Sequence, residues 1–349
     1  MKYFKQVKMS VVIVLGLAVL IISMICAVGL GPVAIPPGTV WRILVNKLPL
    51  VGNGEVFWKA ATEKIILDIR LPRVLLGTFV GAGLSLTGVS IQSFTKNPLS
   101  DPYILGISSG ASAGAVSVVL LGLFNALGFY ALTGGAFIGS AIAIFLVYML
   151  SASKEGLTPT RLVLTGVAVS ALFSAITNFI IYSAKNENGI RTAMYWMMGS
   201  LEGARWEYLP IIALVFVGVF LFLFSYSNAL DTMLLGEQTS VILGVNTKQL
   251  RKALVISSSL LAGVAVSLSG SIGFVGLIIP HITRNLVGSG HRKVIPVSTI
   301  LGAIFIIWSD VMARLVVAPE ELPIGIVTSL FGAPFFIYLL RKKKYSFGG

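Results

Sequence analysis

The sequence predicts an all-α fold: a polytopic membrane helix bundle of ten transmembrane helices, built as one domain over residues 1–349. Three observations predict it. Hydrophobic residues make up 56% of the chain and charged residues only 11%, far from the composition of a water-soluble domain. The apolar residues gather into runs of about 20, the length a helix needs to cross a bilayer. The lysines and arginines cluster at the ends of those runs, where they act as orientation signals. Mean hydropathy is +0.93. The net charge of +13 forms no basic stripe along one segment, so nucleic acid is not an expected partner.

The elements follow in order. A run at 9–31 comes after the basic start MKYFKQVK. It resembles a signal peptide at its positive end, but its apolar part of about 22 residues is too long, which predicts an uncleaved first span. Residues 32–73 form a long external segment, the part at 32–69 having no strong pattern. A second span occupies 74–95. Residues 102–153 carry no charge over 52 positions, room for two spans with a break at 125–128. Further spans are predicted at 162–184 and 208–230. The stretch 253–290 reads as one span or two. Both termini are basic, with Lys2, Lys5 and Lys8 at one end and Arg341 to Lys344 at the other, so an even number of spans keeps both in the cytoplasm. The sequence Ser269-Gly270-Ser271-Ile272-Gly273 supplies the break, giving 253–269 and 274–289. Spans at 294–313 and 322–340 complete the ten. Cytoplasmic segments then hold 16 of the 26 basic residues.

Polar residues within this apolar frame are the candidate functional groups. Asp310 lies four residues before Arg314, the spacing of a helical ion pair. His281 follows Pro280 in the eighth span and, with no second His or carboxylate near it in sequence, reads as structural. His291 stands beside Arg292 and Lys293 and reads as solvated. The fifth span carries Thr165, Ser170, Ser174, Thr177 and Asn178, which suit a polar pathway wall or interhelical hydrogen bonds equally well. Gly77/Gly81 and Gly110/Gly114 have the spacing of close helix contacts, expected inside the bundle. The single Cys26 lies in the first span, so no disulfide forms within the chain. There is no P-loop, HExxH, GxSxG or Cys/His cluster. No catalytic residue, metal site or cofactor is therefore expected. The most unusual segment is 234–251, LLGEQTSVILGVNTKQLR, a polar island between long apolar runs that serves no evident purpose in lipid.

Several segments together resemble the integral permeases of bacterial ABC importers for iron-siderophores, haem and cobalamin. They are RLPRVLLGTFVGAGLSLTGVSIQSFTKNPLSDPYILGISSGASAGA (70–115), RLVLTGVAVSALFSA (161–175), MYWMMGSLEG (194–203), LLGEQTSVILGV (234–245), GSIGFVGLIIPHITRNLVGSGHR (270–292) and ELPIGIVTSLFGAPFFIYLL (321–340). The resemblance implies ten helices per subunit with cytoplasmic coupling helices. It implies as partners a second permease subunit, homo- or heterodimeric, cytoplasmic ATP-binding subunits that hydrolyse ATP in place of this chain, and an external substrate-binding protein. It implies a multi-pass protein of the bacterial plasma (inner) membrane, in contact with lipid. The segment 231–250 corresponds to the coupling region, with Leu235, Gly236, Glu237, Gln238, Val241, Leu243 and Gly244 facing the ATPase. Gly236 and Gly244 permit tight turns, and Leu235, Val241 and Leu243 suit an apolar groove. Arg70, Arg73 and Arg314 occupy positions where relatives pair with carboxylates of the binding protein; headgroup contact is the other reading, and for Arg314 Asp310 competes. The gate of the family falls at LTPTR, 157–161. Pro159 departs from the hydroxyl residue some relatives carry there, and Thr160 is the candidate that stays. Residues 191–203 resemble a short external helix that walls the pathway with the fifth span.

Two other functions compete with this one. An ion-coupled secondary transporter needs a buried carboxylate or broken helices at mid-membrane, and Asp310 is the one candidate. A membrane-embedded enzyme needs paired catalytic groups at one depth, and the sequence offers none.

Overall fold

A computed structural model describes residues 8–47, 56–152 and 157–342, and these are helical with no strand among them. Lys2, Lys5, Lys343 and Lys344, which orient the termini in the sequence reading, lie outside the described residues. The helices are α1 (Met9–Gly29), α2 (Pro37–Asn46), α3 (Ala60–Lys64), α4 (Leu71–Thr95), α5 (Ile107–Leu121), α6 (Ala131–Ser151), α7 (Pro159–Ser183) and α8 (Glu187–Met197), followed by α9 (Leu209–Ser225), α10 (Ser227–Leu234), α11 (Glu237–Ile242), α12 (Thr247–Ser269), α13 (Val275–Val287), α14 (His291–Leu315) and α15 (Ile324–Lys342). Each apolar run of the sequence coincides with a helix. Among the described residues seven helices are long and apolar enough to cross a membrane, and α5, α13 and the stretch Ile324–Leu339 of α15 are shorter apolar helices.

The bundle is organised around α4, 83% of whose most apolar stretch is buried inside the protein, against 17% for the peripheral α1. Small residues let α4 take that place. A Cβ on Gly81 would stand 2.2 Å from the carbonyl oxygen of Gly302 on α14, and one on Gly110 of α5 would stand 2.4 Å from that of Gly139 on α6. The glycine pairs therefore bring backbones together inside one chain, as close packing in lipid requires.

The second span begins earlier than its charge-free stretch suggests. A continuous helical run extends from Ala60 to Thr95 and contains Lys64, Asp68, Arg70 and Arg73. Residues Ile65–Arg70 form a π-helical turn just before Pro72. The Leu71 N–H bonds back five residues to the Ile66 carbonyl. In that register the Leu67 carbonyl would await an N–H from residue 72, which proline lacks. The Trp206 indole N–H donates to Leu67 O instead, at 2.9 Å.

The 270–274 break is equally well accounted for. Non-helical backbone survives at membrane depth only when protein satisfies it. Here Tyr103 Oη donates to Ile272 O at 3.0 Å and accepts from Ile272 N at 3.2 Å. Ser200 N donates to Ser269 O at 2.8 Å, and the hydroxyls of Ser108 and Ser271 pair. The tip following α8 is stitched in turn to the start of α15, through Ile324 N to Gly199 O and Gly325 N to Met198 O.

Candidate functional site

The polar island folds into the end of α10, the short helix α11 and the start of α12. Its local structure follows from three residues. Gly236 has φ 117° and ψ 159°, a region open only to glycine, and it sets the angle between α10 and α11. Gly244 has φ 82° and ends α11 in a Schellman motif: Val245 N bonds to Ser240 O and Gly244 N to Val241 O, both at 2.9 Å. Asn246 then caps α12, its side chain accepting from Gln249 N at 3.1 Å.

Four apolar side chains of this turn point into open space. Leu235 is 67% exposed, Val241 57%, Ile242 85% and Leu243 58%. Ile242 was not singled out from the sequence, although its neighbours were. Gln238 is exposed as well. Glu237 faces both ways: partly exposed, it accepts from Arg251 Nη2 at 3.0 Å and from Thr247 Oγ1 at 3.4 Å, tying α11 to α12. Ser240, also missed, is fully buried and donates toward Thr232 O and Gly236 O, fixing α11 against the end of α10.

The three arginines form a cluster at the other end of the bundle, and all are buried. Arg73 Nε donates to Asp310 Oδ1 at 3.0 Å, and its Nη1 and Nη2 donate to the two oxygens of Glu321 at 3.1 and 2.8 Å. Arg314 Nε pairs with Asp310 Oδ2 at 3.0 Å. The expected pair of Asp310 with Arg314 is therefore present, but shared with Arg73. The remaining nitrogens close α1. A helix leaves its last four carbonyls without internal donors. Arg314 donates to Ala27 O and Leu30 O, at 3.1 and 2.8 Å. Arg70 donates to Val28 O and Gly29 O, both at 3.0 Å, and to Val33 O at 2.6 Å. Positive charge at a helix C-terminus also meets the negative end of its dipole.

On α7, Ser174, Asn178 and Thr160 are exposed and Ser170 half-buried. Ser170, Ser174 and Asn178 succeed each other at steps of four and share one face. Thr177 does not join them: it is buried, and its hydroxyl donates to Phe173 O at 2.8 Å. Near the tip of α8 an open cavity of about 600 Å3 is lined by Met198, Ser271, Gly273, Gly325, Ser329 and Ala333, among other residues.

The two histidines sit differently from each other. His281 is buried, its ring edge-on to Phe335 with centroids 6.4 Å apart. His291 overturns the expectation of a solvated side chain. It has no exposed surface, and its ring lies between Asp231 and Ser93. Both partners are distant in sequence, whereas the basic neighbours that suggested solvation are adjacent.

The fold is that of a multi-helix membrane protein with an apolar element presented outside the bundle, a largely buried ion cluster and a pocket free of charge. Residues 19–342 match the FecCD transport family, and the chain belongs to it. It is 39% identical over 331 residues to the cobalamin import system permease protein BtuC of Halobacterium salinarum, covering 90% of this chain and 87% of that one. It is 40% identical to the Fe(3+)-citrate import system permease protein YfmD of Bacillus subtilis, with 82% and 84% covered. With the hemin transport system permease protein HmuU of Yersinia pestis it shares 34% identity, over 94% of both chains. Among solved structures, an inward-facing metal-chelate type ABC transporter superposes with a TM-score of 0.81 at 31% identity, covering 95% of this chain and 99% of that one.

Proposed function

We propose that this chain is the membrane-spanning permease of an ATP-driven importer that translocates a metal chelate. The observation that carries the reading is the exposed apolar surface of α11, held out between Gly236 and Gly244. Val241, Ile242 and Leu243, with Leu235 just before Gly236, leave four large apolar side chains exposed, and an exposed apolar patch marks an interaction site. A helix presented this way suits an apolar groove, here on a cytoplasmic ATP-binding subunit that carries the hydrolysis. The relatives' names supply the cargo class: cobalamin, ferric citrate and hemin are all metals held in an organic ligand. The uncharged cavity beside α8 and the Ser170–Ser174–Asn178 face of α7 suit a bulky cargo whose metal is already wrapped, and Thr160 is the proposed gate residue at the other end of α7.

The full assembly proposed has two permease subunits, two ATP-binding subunits and an external binding protein, in a plasma (inner) membrane of bacterial type. In this reading the chain has ten spans, with both termini and α11 in the cytoplasm and the arginine cluster outside. Three guanidinium groups against the carboxylates of Asp310 and Glu321 leave the cluster net positive, which favours approach of an acidic receptor lobe. Because Arg70, Arg73 and Arg314 already have internal partners, they act on the receptor through field and through the shape of the surface they hold.

The test is reconstitution of the chain with a candidate ATPase and a candidate binding protein from the same organism. Uptake of cobalamin, ferric citrate, a ferric hydroxamate and hemin is measured with and without ATP. ATP-dependent uptake of at least one is expected. Uptake driven by a proton gradient without any ATPase would replace this reading with the secondary transporter.

A further inference from the structure

A second polar cluster lies at the end of the bundle that carries α11, and neither the exposed face of α11 nor the cavity uses it. Asp231 sits on α10, the helix that leads into α11. His291 opens α14, and Ser93 lies in the last turn of α4. One carboxylate oxygen of Asp231 accepts from the His291 backbone N–H at 3.0 Å and pairs with His291 Nδ1 at 2.6 Å. The other ring nitrogen, Nε2, meets Ser93 Oγ, whose hydroxyl also bonds to Val89 O at 2.7 Å. His291 is fully buried and Ser93 is 1% exposed, while the Asp231 side chain keeps 39% of its surface. The neighbouring charge on α13, Arg284, is engaged with Gln92.

The chemistry fixes the direction of the bond to Asp231. A carboxylate only accepts, so Nδ1 carries a proton. Asp231 thereby also satisfies a free N–H at the start of α14, where the helix dipole favours negative charge. The same three residue types make a nucleophile in hydrolases, but no substrate can reach a serine sealed this far inside. The trio is a fastening.

What it fastens gives it a role. The buried side chains of α10 are Ser227, Leu230 and Met233. Apolar contacts such as those of Leu230 and Met233 are non-directional and permit sliding, whereas charge-assisted hydrogen bonds hold an angle. On the far side, α4 and α14 touch backbone to backbone at Gly81 and Gly302, so a pull on His291 moves both. We propose that Asp231 and His291 are positioning residues that tether α10 to α14 and α4, so that displacement of α11 is passed to the centre of the bundle. The transport consequence rests on the reading of α11 as the element an ATPase moves; the tether itself does not.

The test uses the full-length protein in nanodiscs, with Cys26→Ala to remove the native thiol. Spin labels are placed at Lys96→Cys, on the exposed loop after α4, and Val241→Cys on α11. Wild type should give one narrow distance distribution. Asp231→Ala and His291→Ala should each broaden it at least twofold, the double variant no further than either single, and Asp231→Asn, which keeps the acceptor oxygen, should restore it. Should Asp231→Ala fail to fold, Asp231→Ser takes its place, keeping a short acceptor for the backbone N–H while releasing the ring, with the same broadening expected. Unchanged distributions in the single variants, or broadening by Asp231→Asn equal to that by Asp231→Ala, would overturn the tether whatever the chain transports. In the reconstituted importer, the tether variants should lower cobalamin or ferric citrate uptake per ATP hydrolysed about tenfold. A broadened distribution with wild-type uptake per ATP would refute the transmission role and leave the importer reading standing.

Discussion

Single residues decide the shape of the turn around α11, and two glycines carry different loads there. Gly244 is the left-handed residue that ends α11, with nothing within 4 Å of the position a Cβ would take. The strain of Gly244→Val is therefore conformational and not steric. A β-branched residue at φ 82° costs about 1–3 kcal/mol, enough to tilt α11 without unfolding the chain. The expected result is normal insertion, with ATP hydrolysis by the reconstituted complex no longer responding to loaded receptor. Normal receptor-stimulated hydrolysis in that variant would separate α11 from transmission. Gly236 lies where no L-residue is comfortable, so Gly236→Ala should uncouple at least as strongly. Asp101 gives a residue-scale prediction of opposite sign. It lies in the loop after α4, its side chain accepting from Tyr103 N at 2.8 Å, and burial raises its pKa to about 6 from an ordinary 3.8. A raised carboxylate pKa means that ionisation at neutral pH opposes folding, while below the unfolded value both states are protonated and the penalty is absent. Asp101→Asn, which can keep the cap, should stabilise the protein by about 1–2 kcal/mol at pH 7. The gain should shrink as pH falls from 6 to 4, measured by thermal unfolding in detergent across that range. A gain independent of pH would show that the charge is not its source.

At the scale of elements, the sequence is most legible where one residue type has one physical meaning. Charge-free runs became helices, and the Ser269–Gly273 stretch became a break between α12 and α13, because lipid tolerates little else. The start of the second membrane helix was not legible. Lys64, Asp68, Arg70 and Arg73 read as an external loop, but a helix can carry them when distant groups satisfy them, and the partners of Arg70 are backbone carbonyls, which leave no mark in sequence. His291 was misread for the same reason, since Asp231 stands 60 positions away. Pro280 shows the rule at work inside α13. Its missing N–H leaves the Gly276 carbonyl without its helical donor, and Gln92 Nε2 of α4 supplies one at 3.0 Å. Gln92→Leu should then strand that carbonyl and the Arg284 side chain together, at a cost of about 2–4 kcal/mol. The arginine clamp makes the matching prediction at the other end. Arg70→Met removes the donor to three carbonyls around the end of α1 and should cost about 1–3 kcal/mol. Limited proteolysis should then cut first between α1 and α2. Unaltered cleavage kinetics would mean that water caps α1 as well as the guanidinium does.

For the whole molecule the open quantity is the path of the chain through the bilayer, and the two polar clusters constrain it. The C-terminal end of α1, the N-terminal end of α4, the C-terminal end of α14 and Glu321 just before α15 meet at the arginines. The C-terminal end of α4, the N-terminal end of α14, the C-terminal part of α13 and α10 meet at the His291 and Gln92 contacts. By the termini that meet, α1 and α14 run parallel and α4 and α13 run against them. An even span count, which the basic termini favour, requires the same alternation. It also places α11 and the arginine cluster on opposite faces, which is the separation a pump driven from one side and loaded from the other requires. Cysteine accessibility in intact cells measures it directly. On a Cys26→Ala background, Glu202→Cys, in the exposed turn after α8, should react with a membrane-impermeant maleimide from outside, and Gln249→Cys, exposed at the start of α12, should react only after permeabilisation. Labelling of Gln249→Cys in sealed cells would break the ten-span path. It would also put α11 beyond the reach of any cytoplasmic ATPase, because the contacts of α10 with α4 and α14 carry α11 and residue 249 to the same face.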